Sequence, residues 1–437
     1  MFERTNIAGG RLPDFTWAVG IEDTFVPQAK PGMRPLEEYE LTQHYEQWRR
    51  DIDRAAALGV KMMRWGVPWY RVETNRGEYD WQWVDAVLQH MRRVGIEPIV
   101  DIVHYGTPLW LANSFANPTY PQAVASFAGA FAQRYKRLVR HYVPLNEPTV
   151  NADFSGRRAL WPPYLQGDKG YVQVLLNIAS GIQLSARAIG AANPDAVLFA
   201  VEATNRYRPD TDSLAQTAEL SFRKDVLCFD LVQGQVNENH PLFRWLMRSG
   251  ASEWQLEVLR RQPVSFDVFG INFYPWSSLR VVDSEGSTQP GPDDGRAMLD
   301  VIRKVHAHAQ LPIYITETSA VGERRSGWMQ EVIDAVKFAR IEGVPVIGLT
   351  WFPFFSMIEW DYRTSEKPIE QHLLHLGLLD AYFEGGALVR RETKLVAQFQ
   401  TCMKVGMPPI ALLRWSKWAR FWHRIWWQLV HLDRSPH

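Results

Sequence analysis

The stretch Tyr142-Val-Pro-Leu-Asn-Glu-Pro148 is an apolar run that ends in an amide, a carboxylate and a proline. Pro148 lacks a backbone N–H, so it ends a strand and places Glu147 at the C-terminal tip of that strand. A second stretch of the same design, Pro312-Ile-Tyr-Ile-Thr-Glu-Thr318, ends in Glu317. Enzymes built on βα barrels keep their chemistry at the C-terminal ends of the strands. The two stretches therefore predict a parallel barrel that brings Glu147 and Glu317 to one pocket.

Apolar, strand-like runs alternate with segments of helical spacing along the chain. Such alternation favours a parallel sheet with helices on its outer face, and eight units favour a closed (β/α)8 barrel. The predicted strands cover residues 15–21, 60–65, 96–103, 142–147, 197–202, 265–272, 312–318 and 344–351. The predicted helices cover residues 36–58, 80–94, 121–139, 171–191, 297–309, 328–342 and 391–405.

The composition excludes several classes of function. The 48 basic and 48 acidic residues give a formal net charge of zero, which argues against nucleic acid as a partner. The two cysteines, Cys228 and Cys402, are too few for a disulfide scaffold or a usual zinc site, and they fit a reduced compartment. We predict no metal and no cofactor, and nothing in the sequence predicts the oligomeric state.

The two ends of the chain bear on its location. The N-terminal residues lack the apolar core of a signal peptide, so the cytoplasm is the expected compartment. We predict a catalytic barrel over residues 1–406 and a helical tail over residues 407–437. Within that tail, Ala411–Leu432 is a basic, Trp-rich amphipathic pattern. The pattern fits two alternatives equally. One is a peripheral anchor at the inner face of the membrane, and the other is a helix that packs on the barrel or on another subunit.

Glu147 and Glu317 have the side chains that glycoside hydrolysis requires. One carboxylic acid protonates the leaving oxygen, and one carboxylate attacks the sugar or activates water. In retaining enzymes the two carboxyl groups lie about 5–5.5 Å apart, a spacing that two strand tips across a barrel mouth can supply. The alternative is that each glutamate only ends a strand or forms an ion pair.

Two motifs carry a resemblance to glycoside hydrolase family 1, which includes the β-glucosidases and belongs to the retaining (β/α)8 clan. Pro144-Leu-Asn-Glu-Pro148 resembles the Thr-Phe-Asn-Glu-Pro motif of the family, and Ile315-Thr-Glu-Thr-Ser319 resembles its Ile-Thr-Glu-Asn-Gly motif. The similarity runs from about Pro13 to Met403 and implies a barrel with a retaining mechanism. It implies that Glu147 is the acid/base and Glu317 the nucleophile.

The same resemblance implies roles for five more side chains around the two glutamates. Arg64, in Met63-Arg-Trp-Gly-Val-Pro-Trp69, would lie beside Glu317 and keep it ionised, and Tyr274 would orient it. His104 would contact sugar hydroxyls, Asn146 the 2-hydroxyl, and Asn272 would lie near the pocket.

The segment Gly348–Trp360 resembles the eighth-strand region of the family. By that likeness Glu359 would bind the outer hydroxyls and Trp360 the sugar ring. Trp351 would form the aromatic floor, although the tryptophan of the family aligns with Phe352. Core packing is the alternative for both tryptophans.

One departure affects the expected substrate. The first strand of the family ends in Gln-Ile-Glu-Gly, whereas this chain has Gly20-Ile-Glu-Asp23, so the glutamine that grips two sugar hydroxyls is replaced by glycine. We expect Glu22 and Asp23 at the rim of the pocket. The retaining mechanism is therefore predicted more firmly than glucose or galactose as the sugar.

The resulting prediction is a retaining β-glycosidase that acts on a carbohydrate or glycoconjugate. One alternative is a transglycosidase acting on a glycolipid or lipid-linked sugar, in which an acceptor hydroxyl replaces water. A second is a non-catalytic glycan-binding barrel, which predicts loss of at least one carboxylate, whereas this chain keeps both.

Overall fold

The computed structural model describes residues 15–292 and 294–410, and its centre is a closed barrel of eight parallel strands. We label these strands β1 to β8 in chain order; each pairs with the next, and β8 pairs with β1. The predicted (β/α)8 fold is therefore confirmed. The strands are Thr16–Gly20, Met62–Gly66, Glu97–Asp101, His141–Val143, Val197–Ala203, Val268–Asn272, Ile313–Thr318 and Val346–Trp351.

Helices cover the outside of the barrel, and most lie within a few residues of the predicted positions. The first long helix is an exception, because it begins at His44 rather than near Leu36, and a separate single turn of helix, Glu38–Leu41, precedes it. Gln43 adopts a left-handed conformation with φ 55°, and Leu36–Glu37 pairs with Phe25–Val26 as a small antiparallel sheet instead. The main helices are His44–Leu58, Gln82–Val94, Tyr120–Tyr135, Gly167–Ala192, Ala297–Ala309, Arg324–Ile341 and Lys394–Val405.

Four helices between β5 and β6 and a hairpin after β8 were not predicted. Helix Ala215–Asp225 buries only three side chains, so its sequence shows little of the apolar repeat from which a helix is predicted. The other three helices are Leu227–Val232, Phe243–Arg248 and Glu253–Arg261. The hairpin strands Leu379–Glu384 and Ala387–Glu392 flank Gly385-Gly386, a dipeptide typical of tight hairpin turns.

The side chains of each strand divide between two layers. Those that point inward fill the barrel with a separate apolar cluster, and those that point outward join the main core under the helices. Because side chains alternate along a strand, the inward positions above this cluster at the C-terminal ends include Arg64, Asp101 and Thr316. The inner cluster consists of Ala18, Met62, Ile99, Val143, Val197, Phe199, Val201, Val268, Tyr314 and Ile347.

Two features bear on membrane contact. Among the described residues, one helix, Gly167–Ala192, is long and apolar enough to cross a membrane by length and composition, but 61% of its apolar window is buried within the protein. It packs along Tyr120–Tyr135 as part of the barrel's outer layer. The predicted amphipathic helix Ala411–Leu432 lies outside the described residues, so the tail and its boundary after residue 406 stay predictions.

Candidate active site

Glu317 reaches the mouth of the barrel because β7 is irregular at its end. Strict alternation would place Glu317 on the same face as Ile315, which packs in the core under the helices. The register between β7 and β6 shifts between Ile315 and Glu317, so both Thr316 and Glu317 face the site. The Thr316 hydroxyl donates to Asn272 Oδ1 at 2.7 Å, while Thr318 turns outward and accepts from the Trp328 indole at 2.8 Å.

Arg64 and Tyr274 hold the two oxygens of Glu317, as the resemblance implies. Arg64 Nη1 lies 2.6 Å from Glu317 Oε1, and the Tyr274 hydroxyl donates to Oε2 at 2.7 Å. Arg64 is fully buried and also pairs with Asp101, with Nε 3.0 Å from Oδ2. Burial acts against the charge, but the carboxylates of Asp101 and Glu317 raise the pKa of Arg64. The guanidinium therefore stays a cation and compensates both carboxylates.

Arg64 also determines which way two buried amides point. Its Nη2 donates to Asn146 Oδ1 at 2.6 Å, and since a guanidinium only donates, the amide nitrogen of Asn146 must face the other way. Asn272 Oδ1 accepts from Thr316 and lies 3.5 Å from Arg64 Nη1. Its Nδ2 is thereby directed to Glu147 Oε1 at 2.8 Å and to Asn146 Oδ1 at 3.1 Å. The network connects both glutamates through Arg64.

Glu147 lies four residues beyond the last residue of the fourth strand, in a left-handed conformation with φ 45°. It precedes the short helix Pro148–Ala152, and its backbone N–H donates to the carbonyl of Val201 at 3.1 Å. The side chain is 6% exposed. Burial, reinforced by the charge of Glu317, raises the pKa of Glu147 to about 7. A carboxyl group with that pKa can hold a proton and release it near neutral pH.

His104 lies at the end of the third strand, with protein groups at both ring nitrogens. Nδ1 is 2.8 Å from Asp23 Oδ1 and 3.3 Å from Asp101 Oδ2, and Nε2 is 3.0 Å from Asn146 Nδ2. Burial disfavours a charged ring, whereas Asp23 and Asp101 act to raise the pKa of His104. Because Arg64 turns the donor nitrogen of Asn146 towards Nε2, that ring nitrogen accepts, which fits a ring whose proton is on Nδ1. A contact between His104 and a sugar hydroxyl therefore stays a prediction, and it requires one of these partners to move.

Glu22 and Asp23 are buried, so the expectation that they lie at the rim is wrong. Asp23 is fully buried, and its carboxylate fills the space beside Gly66, where a Cβ atom would lie 1.8 Å from Oδ2. Burial raises the pKa of Asp23 to about 7, although the pairing with His104 opposes the shift. Glu22 accepts from the backbone and hydroxyl of Thr24, and burial raises its pKa too.

The structure corrects the expected position of Trp351. Ile347 faces the inside of the barrel, but the register of β8 against β7 shifts at that residue. Beyond the shift Thr350 and Phe352 face inward, so Trp351 turns outward into the main core. Its indole N–H donates to the carbonyl of Leu376 at 3.1 Å. The ring of Phe352 lies 5.4 Å from Arg64 and stacks 6.4 Å from His104. Trp351 is therefore a core residue, and Phe352 is the aromatic side chain next to the site.

Phe352 also occupies the space that a longer first-strand residue would need. A Cβ atom on Gly20 would lie 2.2 Å from Phe352 Cδ2, so the glutamine of the family does not fit here without displacement of the ring. The replacement expected from the sequence thus has a direct structural counterpart. Because Gly20 has no side chain, the Phe352 ring can lie against it.

Trp360 and Glu359 lie farther out. Trp360 is half-buried and packs against Tyr105 and Trp161, with ring centres 5.6 and 5.2 Å away. Glu359 is half-buried beside Asp361 and His372. Neither side chain has a described hydrogen bond to the two catalytic candidates, so their contacts with a sugar stay predictions.

Within residues 15–292 and 294–410, two groups of side chains have the composition of a metal site. Asp23, Asp101 and His104 bring ligand atoms within 4.8 Å of one another, as do Glu359, Asp361 and His372. In the first group the carboxylates already pair with Arg64 and His104, so it is an ion-pair network. In the second, His372 Nδ1 lies 2.9 Å from Asp361 Oδ1, and the Asp361 side chain is 63% exposed.

The sequence analysis missed two side chains of the network. Asp101 pairs with Arg64 but lies within an apolar run. It faces the same side of its strand as the inward residue Ile99, and this alternation could have identified it. Tyr105 follows His104 in the sequence, and its hydroxyl donates to Glu147 Oε2 and accepts from Asn146 Nδ2 at 3.0 Å. No local pattern predicts that contact, because it joins two different strand ends.

Comparison with known proteins identifies relatives of this chain. The family model described as Glycosyl hydrolase family 1 matches residues 19–290. The chain is similar to the aryl-phospho-beta-D-glucosidase BglC of Bacillus subtilis, with 25% identity over 72% of this chain and 78% of the relative.

Two further similarities differ in extent. The aryl-phospho-beta-D-glucosidase BglA of the same organism is 29% identical, but the match spans only 28% of this chain and 27% of BglA. The family 1 β-glucosidase of Thermotoga maritima has a similar fold, with a TM-score of 0.77, 16% identity and coverage of 90% of this chain and 98% of that one.

Proposed function

The chain belongs to glycosyl hydrolase family 1, and on that premise we propose that it is a retaining β-glycosidase in which Glu317 is the nucleophile and Glu147 the acid/base. The observation that carries the proposal is the contrast between the two carboxyl groups. Glu317 is held by a buried guanidinium and a tyrosine hydroxyl, which suits an ionised nucleophile. Glu147 is a buried acid with a pKa of about 7, which suits a proton donor.

The first chemical step is the formation of a glycosyl-enzyme. A Glu317 oxygen attacks the anomeric carbon as the bond from that carbon to the leaving oxygen breaks, and the Glu147 proton moves to that oxygen. The aglycone departs as an alcohol, and Glu147 is left as a carboxylate. Arg64 and Tyr274 keep Glu317 aimed at the mouth of the barrel during the attack.

The second step releases the sugar. Glu147 now accepts a proton from water, whose oxygen bonds to the anomeric carbon as the Glu317 ester bond breaks. Both carboxyl groups thereby return to their starting protonation states. If an acceptor alcohol takes the place of water, the same step is a transglycosylation. The carboxyl pair supports both outcomes equally, and hydrolysis is the one we propose.

Trapping of the glycosyl-enzyme tests the proposal. We expect an activated 2-deoxy-2-fluoro β-glycoside, chosen from a panel of sugars, to inactivate the protein and to add one glycosyl unit to the peptide containing Glu317. The Glu317→Ala variant should form no adduct and show no turnover while keeping its fold, checked by circular dichroism. An adduct on another residue, or turnover by Glu317→Ala, would contradict the assignment. Binding of glycans without adduct or turnover would instead identify a glycan-binding protein.

A further inference from the structure

Tyr105 stands out because the chemistry proposed above assigns it no role, although it touches the acid/base. Its side chain is 3% exposed, and its hydroxyl donates to Glu147 Oε2. The Tyr105 hydroxyl oxygen also accepts a hydrogen bond from Asn146 Nδ2 at 3.0 Å. The residue therefore connects Glu147 to the amide that Arg64 orients.

The hydrogen-bond donors around Glu147 are not equivalent. Oε1 faces Asn272 Nδ2, an amide nitrogen that can only donate, and Arg64 prevents that amide from turning over. Oε2 faces a hydroxyl, which can either donate or accept. A protonated Glu147 can therefore keep both contacts only if its proton is on Oε2. The Oε2 hydroxyl then donates to the Tyr105 oxygen. Tyr105 is the partner whose role can reverse between the two protonation states.

The backbone brings the two side chains together at some energetic cost. Tyr105 and Glu147 have φ values of 73° and 45°, in the left-handed region that is unfavourable for a residue with a side chain. Gly106 lets the chain turn against the carbonyl of Phe25, where a Cβ atom would lie 1.5 Å from the oxygen. Such conformations persist only where the surrounding structure enforces them.

Aromatic packing fixes the ring independently of the hydroxyl. The Tyr105 ring lies 4.6 Å from His104, 4.9 Å from Trp161 and 5.6 Å from Trp360. A phenylalanine in this position would keep all three contacts. The hydroxyl can therefore be removed without disturbing the packing.

We propose that Tyr105 is a positioning residue that directs the Glu147 proton to Oε2 and stabilises the carboxylate after that proton has left. The inference rests on the proposed role of Glu147 as acid/base. The other titratable groups that act on Glu147 or respond to its charge are Glu317 on β7, His104 after β3, Glu202 on β5 and Tyr274 after β6.

The test is the pH dependence of Tyr105→Phe with two substrates, an activated aryl β-glycoside and an alkyl β-glycoside of the sugar found by trapping. Loss of a donor to the carboxylate raises the pKa of Glu147, so the basic limb of kcat/KM should move up by about one pH unit. We expect kcat/KM for the alkyl glycoside to fall about ten-fold or more. The aryl glycoside, whose leaving group needs little protonation, should change much less.

Tyr142→Phe is the matched control. Tyr142 is fully buried, and its hydroxyl donates to the carbonyl of Val139 at 3.1 Å, away from the site. This variant should leave the basic limb in place. An unmoved basic limb in Tyr105→Phe, or an equal loss with both substrates, would overturn the inference.

A third variant separates this inference from the proposed function. Glu147→Gln should abolish the basic limb if Glu147 is the acid. If that limb persists in Glu147→Gln, the acid/base assignment itself fails. If the limb disappears there but does not move in Tyr105→Phe, only the role of Tyr105 is refuted.

Discussion

At the scale of single residues, Arg64 is the side chain on which both carboxyl groups depend. It pairs directly with Glu317 and acts on Glu147 through Asn272, whose amide it helps to orient. It has no exposed surface, so each of its hydrogen bonds is made in a medium that screens charge weakly. A change at this one position therefore alters the geometry and the electrostatics of both candidates.

Arg64→Met is predicted to destabilise the fold and to remove activity. Loss of the cation leaves Glu317 as a buried, uncompensated carboxylate and leaves Asp101 with only its longer contact to His104, a change that costs about 3–5 kcal/mol in comparable cases. Arg390→Met is a matched control, because Arg390 pairs with Asp51 in an equally buried ion pair outside the site. Chemical denaturation should show similar losses for both variants. Turnover per folded molecule should be retained only in Arg390→Met. If both variants retained turnover, Arg64 would have no part in the reaction.

At the scale of elements, two strands show how a local irregularity selects which side chain enters the site. The register shift in β7 turns Glu317 inward beside Thr316. In β8 the register shifts at the inward residue Ile347, and beyond it Phe352 faces inward and Trp351 outward. In the sequence, the tryptophan of the family aligns with Phe352, whereas Trp351 matches it in residue type, and the structure places the aligned position next to the site.

Trp351→Ala is predicted to behave as a core mutation. It should lower the free energy of unfolding by about 3–5 kcal/mol, because it removes a large buried ring and leaves a cavity. KM, measured where the variant is still folded, should remain close to that of the parent protein. In Phe352→Ala, by contrast, KM or kcat should change, because the ring contacts Arg64 and His104. A large rise in KM for Trp351→Ala with little loss of stability would restore Trp351 as the sugar floor.

At the scale of the whole molecule, buried acids create a pH-dependent stability. Four carboxyl groups have their pKa raised to about 7, in each case chiefly by burial: Asp23, Glu37, Glu147 and Asp225. In the unfolded chain such groups titrate near pH 4. Between about pH 4 and pH 7 the unfolded chain has therefore released protons that the folded protein still holds. Stability must fall as the pH rises through this window.

Thermal unfolding is therefore predicted to occur at a higher temperature at pH 5 than at pH 7.5. Burial lowers the pKa of His44, which acts in the opposite sense, but burial also raises the pKa of Glu22, Glu38 and Glu202, which act in the same sense as the four. Glu37→Gln removes one of the four outside the site and should flatten the dependence. Differential scanning calorimetry over this pH range gives the test. A Tm that is constant or rises toward pH 7.5 would contradict the assignment of these acids.

The sequence alone determined the barrel and the two strand-end glutamates. Both follow from local information: apolar runs of strand length, helical periods between them, and polar residues where each run stops. The roles expected for Arg64, Asn146, Asn272 and Tyr274 came from the resemblance to the family and not from the strand pattern, although each stands at or just beyond the end of a strand.

Only the tertiary structure decided how these side chains meet. The pairing of His104 with Asp23, the contact of Tyr105 with Glu147 and the close approach of Phe352 to Gly20 join residues on different strands. Strand periodicity specifies which side of its own strand a residue faces. It does not specify register shifts, left-handed turns or the partner across the barrel, because these depend on closure of the barrel and on the volume left by neighbouring side chains.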